Sequence, residues 1–305
     1  MVSRSLLSAI GITVWTAVIV TAAPRAIRHQ TDDRIIEVSS QGHGWEDAES
    51  CSDLHVTFND RKLATAEEDK TITKAEAATL RVVAETNGGV QVSGWDQDTY
   101  SVKLCKFVED NRDAQGELAA IKMRFASGEL TVSGPSHSRE WAAHLLIRAP
   151  RAASLDLRVN NGPMSVHRVD GSVKVRATNG PVTVRDCTGS LELNTENGPV
   201  TLEGNSGKQS VTAQNGPVNI ELNGSSWQGD GLVAHATNGP LTLHLPSGYQ
   251  SGVLLESDGN GPFSCRASVC NEGRKTWDED HKRIEFGSGP AVVRLSTVNG
   301  PVSVH

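Results

Sequence analysis

Residues 179–196 read NGPVTVRDCTGSLELNTE, and the next 18 start over with Asn197-Gly198-Pro199. The tripeptide Asn-Gly-Pro also begins at Asn161, Asn215, Asn238, Asn260 and Asn299. The first four copies are 18 residues apart, and the later gaps are 23, 22 and 39, the longest holding Gly289-Pro290 as a degenerate copy. Midway between the regular copies stand Gly171, Gly189 and Gly207, so the glycines from 162 to 216 advance in steps of nine. A fixed period is the signature of a repeat architecture and takes precedence over any single motif.

Between glycines the residues alternate. Val182 and Val184, Val200 and Leu202, and Val218 and Ile220 follow one corner; Val173 and Val175, and Leu191 and Leu193, follow the other. Period two with branched aliphatic residues describes a strand with one buried face. Asn-Gly supports a tight corner, and proline sits at the strand entrance, where a missing N–H does least damage. Asn-Gly between alternating runs also signals a hairpin, so an antiparallel meander competes with a coil. Two features favour the coil. A proline right after Asn-Gly removes a donor beside a hairpin turn, and the two corners differ, so like recurs every 18 residues. Position 157 then stacks with 175, 193 and 211 (Leu, Val, Leu, Val), while Asn161, Asn179, Asn197, Asn215 and Asn238 form one structural column able to bond amide to amide. The fold expected is all-β, a parallel β-solenoid (β-helix) with about 18-residue turns, its neighbours roughly 4.8 Å apart over seven or eight turns.

Composition limits function. The chain has 305 residues, 36 Asp and Glu against 29 Lys and Arg, and a net charge of −7. Nucleic-acid binding draws most of its affinity from basic residues, so that partner class is disfavoured. With 6 Trp, 2 Tyr and 5 Phe, a core of stacked rings is not expected either. Arg4, an apolar stretch from Leu6 to Val20 and the small Thr21, Ala22 and Ala23 read as a secretory leader over 1–23, removed to leave no membrane span. The remainder divides into an irregular β region, 24–149, continuous with the regular repeat at 150–305. Five cysteines suit an oxidising, extracytoplasmic compartment: periplasm, cell surface or secreted. Cys265 and Cys270 are near enough to clip one loop; Cys51 and Cys105 are able to join two early segments, a pairing that spacing leaves open; Cys187 reads as a buried thiol. The polar stretch Arg61 to Ala78 reads as a solvated excursion or short helix, and Ile121 to Val132 and Leu145 to Ile147 as further strands.

Turns such as Asn179-Gly180-Pro181-Val182-Thr183-Val184, together with Leu155-Asp156-Leu157 leading to Asn161-Gly162 and the closing Val298-Asn299-Gly300-Pro301-Val302, resemble the bacterial putative-adhesin domain family of extracytoplasmic β-strand-repeat proteins. The likeness covers roughly 78–305. Family members commonly carry Asn-Gly-Asp where this chain has Asn-Gly-Pro. The resemblance implies a right-handed β-helix, a bacterial source and an envelope or secreted location; it brings no catalytic residues and no cofactor.

Outward positions supply the candidate site. Ser165, Thr183, Thr201, Asn219 and Thr242 share one column of short polar groups; the next holds His167, Arg185, Glu203, Glu221 and His244. Such a flat ladder suits an extended polymer such as an envelope polysaccharide, or a surface protein. On the other strand Asp156, Lys174 and Glu192 alternate in sign and support each other. Glu203 and Glu221 on successive turns also approach the carboxyl spacing of glycosidases, which makes a polysaccharide-active lyase or hydrolase the alternative, and an envelope regulatory partner the third reading. The run Trp277-Asp278-Glu279-Asp280-His281-Lys282-Arg283 reads as a solvated loop. No regular cation column is formed by Asp170-Gly171-Ser172, Thr188-Gly189-Ser190 and Ser206-Gly207-Lys208, so calcium and other metals are not expected. The function expected is a non-catalytic structural or adhesive binding module. A stack needs covered ends, and either the segment between Cys265 and Phe286 is expected to fold over the end at Val304, or that end is expected to pair with another protein.

Overall fold

A computed structural model describes residues 27–31, 34–40, 48–58, 61–135, 141–259, 261–278 and 281–305. The secretory leader read at 1–23, and Asn260, Glu279 and Asp280, lie outside the described residues. Strands β1 (Ile27–Thr31), β2 (Arg34–Ser40) and β3 (Leu54–Phe58) form a small antiparallel sheet. There follow β4 (Leu63–Thr73), β5 (Thr79–Asn87), β6 (Val90–Trp95), β7 (Thr99–Glu109), helix α1 (Ala114–Ala120), β8 (Lys122–Ala126), β9 (Glu129–Ser133) and β10 (Trp141–Pro150). The chain then falls into strand pairs: β11 (Ser154–Asn161) with β12 (Met164–His167), β13 (Ser172–Asn179) with β14 (Val182–Arg185), β15 (Ser190–Asn197) with β16 (Val200–Gly204), β17 (Ser206–Asn215) with β18 (Val218–Leu222), and β19 (Gln228–Asn238) with β20 (Leu241–His244). It ends in β21 (Ser251–Asp258), β22 (Phe263–Cys265), β23 (Arg274–Trp277), β24 (His281–Phe286), β25 (Ser288–Asn299) and β26 (Val302–Val304).

The two members of each pair go to different sheets. The even-numbered strands of the repeat lie in an 11-stranded sheet and the odd-numbered ones in a 12-stranded sheet, each strand parallel to its equivalent one repeat away. The antiparallel meander is thereby excluded. Between the sheets runs one continuous core, because every second residue points inward. Val82, Leu157, Val175, Leu193 and Val211 are successive register partners and all buried; the file continues through Ala234 and Leu295 to Leu255. Val90, Met164, Val182, Val200, Val218 and Leu241 do the same in the facing sheet. Each such side chain contributes about 1.5–3 kcal/mol by leaving water, but only because the turns above and below cover it.

The corners keep the backbone ladder unbroken. Gly180 N–H donates to Asn197 O at 3.0 Å and Val182 N–H to Pro199 O at 2.9 Å, and the same two bonds recur from turn to turn. In a parallel ladder alternate residues bond to opposite neighbours, so proline falls where its carbonyl is used and its missing N–H is not. The asparagine side chains add a second ladder: Asn179 Nδ2 donates to Asn161 Oδ1 at 2.9 Å, Asn197 to Asn179 at 3.0 Å, Asn215 to Asn197 at 3.1 Å, Asn238 to Asn215 at 3.0 Å and Asn299 to Asn238 at 3.1 Å. All five bonds point the same way. Glycine is required because turns touch here: Gly198 has φ +132°, and a Cβ on it would overlap the carbonyl oxygen of Gly180.

The stack departs from sequence order at both ends. β9 and β10 pair with β5 and β6, on the side away from β11 and β12, although they follow β5 and β6 in the chain. At the other end β25 lies between β19 and β21, and β26 between β20 and β22. Counting these, the described residues contain nine two-strand turns, more than the repeat spacing predicts. The strand ending at Val304 is therefore inside its sheet, which corrects the expectation that it ends the stack. The segment after Cys265 does cover an edge, but that of β21: β24 pairs antiparallel with β21, and β23 lies outside β24.

Residues 61–78, read as an excursion or helix, are mostly the 11-residue edge strand β4, antiparallel to β7. Little apolar alternation is needed there, since an edge strand is held by its ladder and by charges. Lys103 meets Asp69 at 2.8 Å and Glu67 at 3.5 Å, and Lys106 meets Glu68 at 2.6 Å. Such a charged rim also discourages edge-to-edge pairing. Helix α1, which the alternation did not reveal, buries Ala114 and Leu118 one turn apart.

Gly198→Ala is expected to destabilise the chain by about 3 kcal/mol or more, from steric overlap and positive φ. Asn197→Ala, which removes one donated and one accepted bond, is expected to cost only about 1 kcal/mol. Urea unfolding of the two variants checks the order; equal losses would mean that the corner does not hold adjacent turns in contact.

Candidate functional site

The outer face of the 11-stranded sheet carries the predicted columns in register. Gln91, Ser165, Thr183, Thr201, Asn219 and Thr242 are successive partners, followed by Ser303. Their exposure is unequal. Ser165 and Thr183 are buried, whereas Thr201, Asn219 and Thr242 are half-buried and reachable. Ser165 has the longer Gln91 as its register partner and His167 two residues on. The open part of the face therefore starts at Thr201.

Beside it His167, Arg185, Glu203, Glu221 and His244 form the second column. Arg185 Nε lies 3.3 Å from Glu203, which also accepts from Asn223 Nδ2 at 3.3 Å. The His244 ring stacks on His305, centroids 5.1 Å apart. Glu203 and Glu221 are register partners on adjacent strands.

At the other end this face is walled in. A disulfide joins Cys51 to Cys105 on β7, and Leu54, Val56, Phe107, Ala142 and Leu146 form a small apolar cluster around it. The segment before β3 thus lies on the outer face, and Gln91 Nε2 donates to Ala48 O at 2.7 Å. Between this segment and the sheet is a cavity of about 730 Å³, with Trp95, Lys103, Arg148, Arg151, His167 and Arg168 among its lining residues. Arg151 pairs with Asp96 at 2.6 Å and Arg148 with Glu49 at 3.5 Å; Arg148 also lies over the Trp95 ring at 6.0 Å. Arg168 donates to Ser93 Oγ at 3.1 Å. Sequence reading missed this cavity, since its parts are scattered from Ala48 to Arg168. They meet because β10 stacks on β6 out of chain order, which sets Arg148 beside Ser93.

The outer face of the 12-stranded sheet carries a second, smaller groove of about 320 Å³ beside Arg158, Asn160, Arg176, Thr178 and Asn194. Asp156 draws three arginines together: Arg176 at 3.2 Å, Arg158 at 3.3 Å and Arg81 at 3.6 Å. Lys174 meets Glu192 at 2.7 Å, and this hydrogen bond holds the Glu192 carboxyl below its ordinary pKa. A second disulfide joins Cys265 to Cys270. Cys187 is a buried free thiol, its pKa pushed up to about 11 by burial. Among the described residues no group of three or more His, Cys, Asp or Glu is placed to hold a metal, and no helix is long and apolar enough to cross a membrane.

No protein-family model matches the chain, and no curated protein matches it. Solved structures similar to it include a putative cell adhesion protein from Clostridium sporogenes, 15% identical, with a TM-score of 0.35, covering 79% of this chain and 99% of that one. A putative adhesin from Bacteroides fragilis is 14% identical with a TM-score of 0.33, covering 80% and 97%. Another, from Parabacteroides merdae, is 11% identical with a TM-score of 0.32, covering 81% and 97%. The last two are described as putative adhesins, the description of the family that the corner motifs resemble, at low identity.

His144 on β10 is the register partner of Cys105 and fully buried, and burial pushes its pKa down to about 3. The unfolded chain takes up this proton near pH 6.5 and the folded chain only near 3. Between those values the unfolded state binds more protons, so stability falls as pH falls, by up to about 1.4 kcal/mol per pH unit from this group. His144→Gln is expected to flatten the stability curve between pH 6.5 and 4 relative to the parent chain. Parallel curves in urea titrations at each pH would contradict the assignment.

Proposed function

We propose that the chain is a non-catalytic, extracytoplasmic binding module, a right-handed β-solenoid that presents its open sheet face to an envelope polysaccharide or surface protein. In this reading residues 24–149 are the irregular start of the same solenoid that runs regularly from 150 to 305, behind a leader at 1–23. The observation that carries the proposal is the open row of Thr201, Asn219 and Thr242, three short polar groups in register on adjacent strands. Equal spacing along a rigid sheet offers a polymer the same hydrogen bonds at each step, with the positioning entropy already lost. Two disulfides support an oxidising compartment. Glu203 pairs with Arg185 and accepts from Asn223, which in this reading ties it to its neighbours on the sheet.

Purified chain is to be incubated with immobilised envelope polysaccharides, measuring both retention and new sugar ends. Retention without cleavage is expected, and combined Thr201→Ala, Asn219→Ala and Thr242→Ala substitution is expected to weaken it at least tenfold, each lost bond contributing about 1 kcal/mol. New sugar ends that vanish in Glu203→Gln or Glu221→Gln would instead establish the polysaccharide-active enzyme. Capture of a protein partner without retention on any polysaccharide would leave a protein as the ligand, either a surface target or a partner in envelope regulation.

A further inference from the structure

The cavity under Ala48 and Glu49 differs in chemistry from the open row. Its lining holds four permanent cations, Lys103, Arg148, Arg151 and Arg168, against the acids Glu49 and Asp96. Three of the cations face carboxylates: Arg151 has Asp96, Arg148 has Glu49, and Lys103 has Asp69 and Glu67 on β4. Arg168 does not. Its guanidinium donates to the Ser93 hydroxyl, and it has no carboxylate partner among the described residues. Gln91, 94% buried in the same wall, gives Nε2 to Ala48 O and leaves Oε1 without a donor. Trp95 has its polar edge satisfied, Nε1 donating to Thr99 O at 2.7 Å, so its ring contributes apolar surface.

From this set we infer that the cavity is the seat of an acidic sugar residue, its carboxylate on Arg168 and its ring against Trp95. The inference rests on the reading of the chain as a polymer-binding module and names the ligand class. Sulfate would answer Arg168, yet it brings no hydroxyl donor for Gln91, and no inorganic anion brings a ring for Trp95. A neutral sugar brings both and leaves the guanidinium without its anion. A ring carrying hydroxyls and a carboxylate meets all three groups, and the volume of about 730 Å³ falls in the range of small-ligand sites. A guanidinium also holds a carboxylate by two parallel bonds, which fixes orientation as well as charge. The Cys51–Cys105 disulfide holds the wall bearing Ala48 in place.

The test is calorimetric titration of the full chain with trigalacturonate, with its methyl ester and with sodium sulfate. Trigalacturonate is expected to bind at least tenfold tighter than the ester and than sulfate. Arg168→Asn is expected to raise the trigalacturonate Kd about tenfold and to erase the preference over the ester, without changing the melting temperature. Asparagine is chosen because position 168 has φ +54°, which asparagine tolerates; should this variant not fold, Arg168→Gln carries the same comparison. Trp95→Leu is expected to weaken both sugars and leave sulfate unaffected. Equal binding of acid and ester, sulfate as tight as the sugar, or folded Arg168 variants with unchanged affinity would each overturn the inference. Polymer retention through Thr201, Asn219 and Thr242 with no acid preference would overturn this inference alone. Acid-selective binding in the cavity without retention on any envelope polymer would instead remove the wider reading.

Discussion

Hydrogen bonds that pass through the corner between one turn and the next are what the rest of the molecule depends on. In most sheets a corner interrupts the ladder, and each strand then sets its own register. Here Gly180 and Val182 donate to Asn197 and Pro199 across the bend itself, with the hydrogen bond from Asn197 Nδ2 to Asn179 Oδ1 alongside. Register is thus transmitted from one sheet to the other. A slip of one residue would break the corner bonds and turn Val182, Val184 and their equivalents outward. The same lock produces the surface rows, because side chains equivalent in the repeat have no freedom to fall out of line.

A stack built this way has a difficulty at its ends, where strand edges and apolar interior would both be exposed. The chain answers by leaving sequence order. At one end β9 and β10 are added outside β5 and β6, and antiparallel β7 and β4 extend the sheet to a charged rim. At the other, β25 and β26 enter between turns formed earlier in the chain, and β24 and β23 cover the edge of β21. Both arrangements raise the sequence separation of contacts, which slows folding. They also make the end turns dependent on distant chain segments, so neither end can peel away one repeat at a time.

The cavity follows from the same departure. The regular turns, being alike, produce a flat face with shallow relief. Concavity arises where β10 and β6 are brought together from distant parts of the chain and the disulfide-held segment before β3 lies over them. Charges are then drawn from several elements with partners of unequal strength, which leaves Arg168 with a hydroxyl where its neighbours have carboxylates.

The repeat was legible in the sequence because its cause is local: glycine every nine residues, alternation of Val and Leu, and asparagine at one fixed phase. From those alone follow the all-β class, parallel pairing, the identity of interior residues such as Leu157, Val175 and Leu193, and the membership of the polar columns. Three things were decided only by the tertiary structure. The polar β4 became a strand because β7 offered it a ladder and lysines, partners that hydrophobic period does not record. The turn from Ser288 to Val304 lies between turns formed earlier in the chain, its Asn299 bonded to Asn238, a choice of neighbour that the repeat leaves open because its Asn positions are all alike. Ser165 and Thr183 were buried, and Lys103, Arg148 and Arg168 gathered into one cavity, by contacts between residues far apart in the chain. Periodicity specifies which face a residue is on; which residues are brought opposite that face is set by the packing of the whole chain, and burial and charge pairing are properties of that packing.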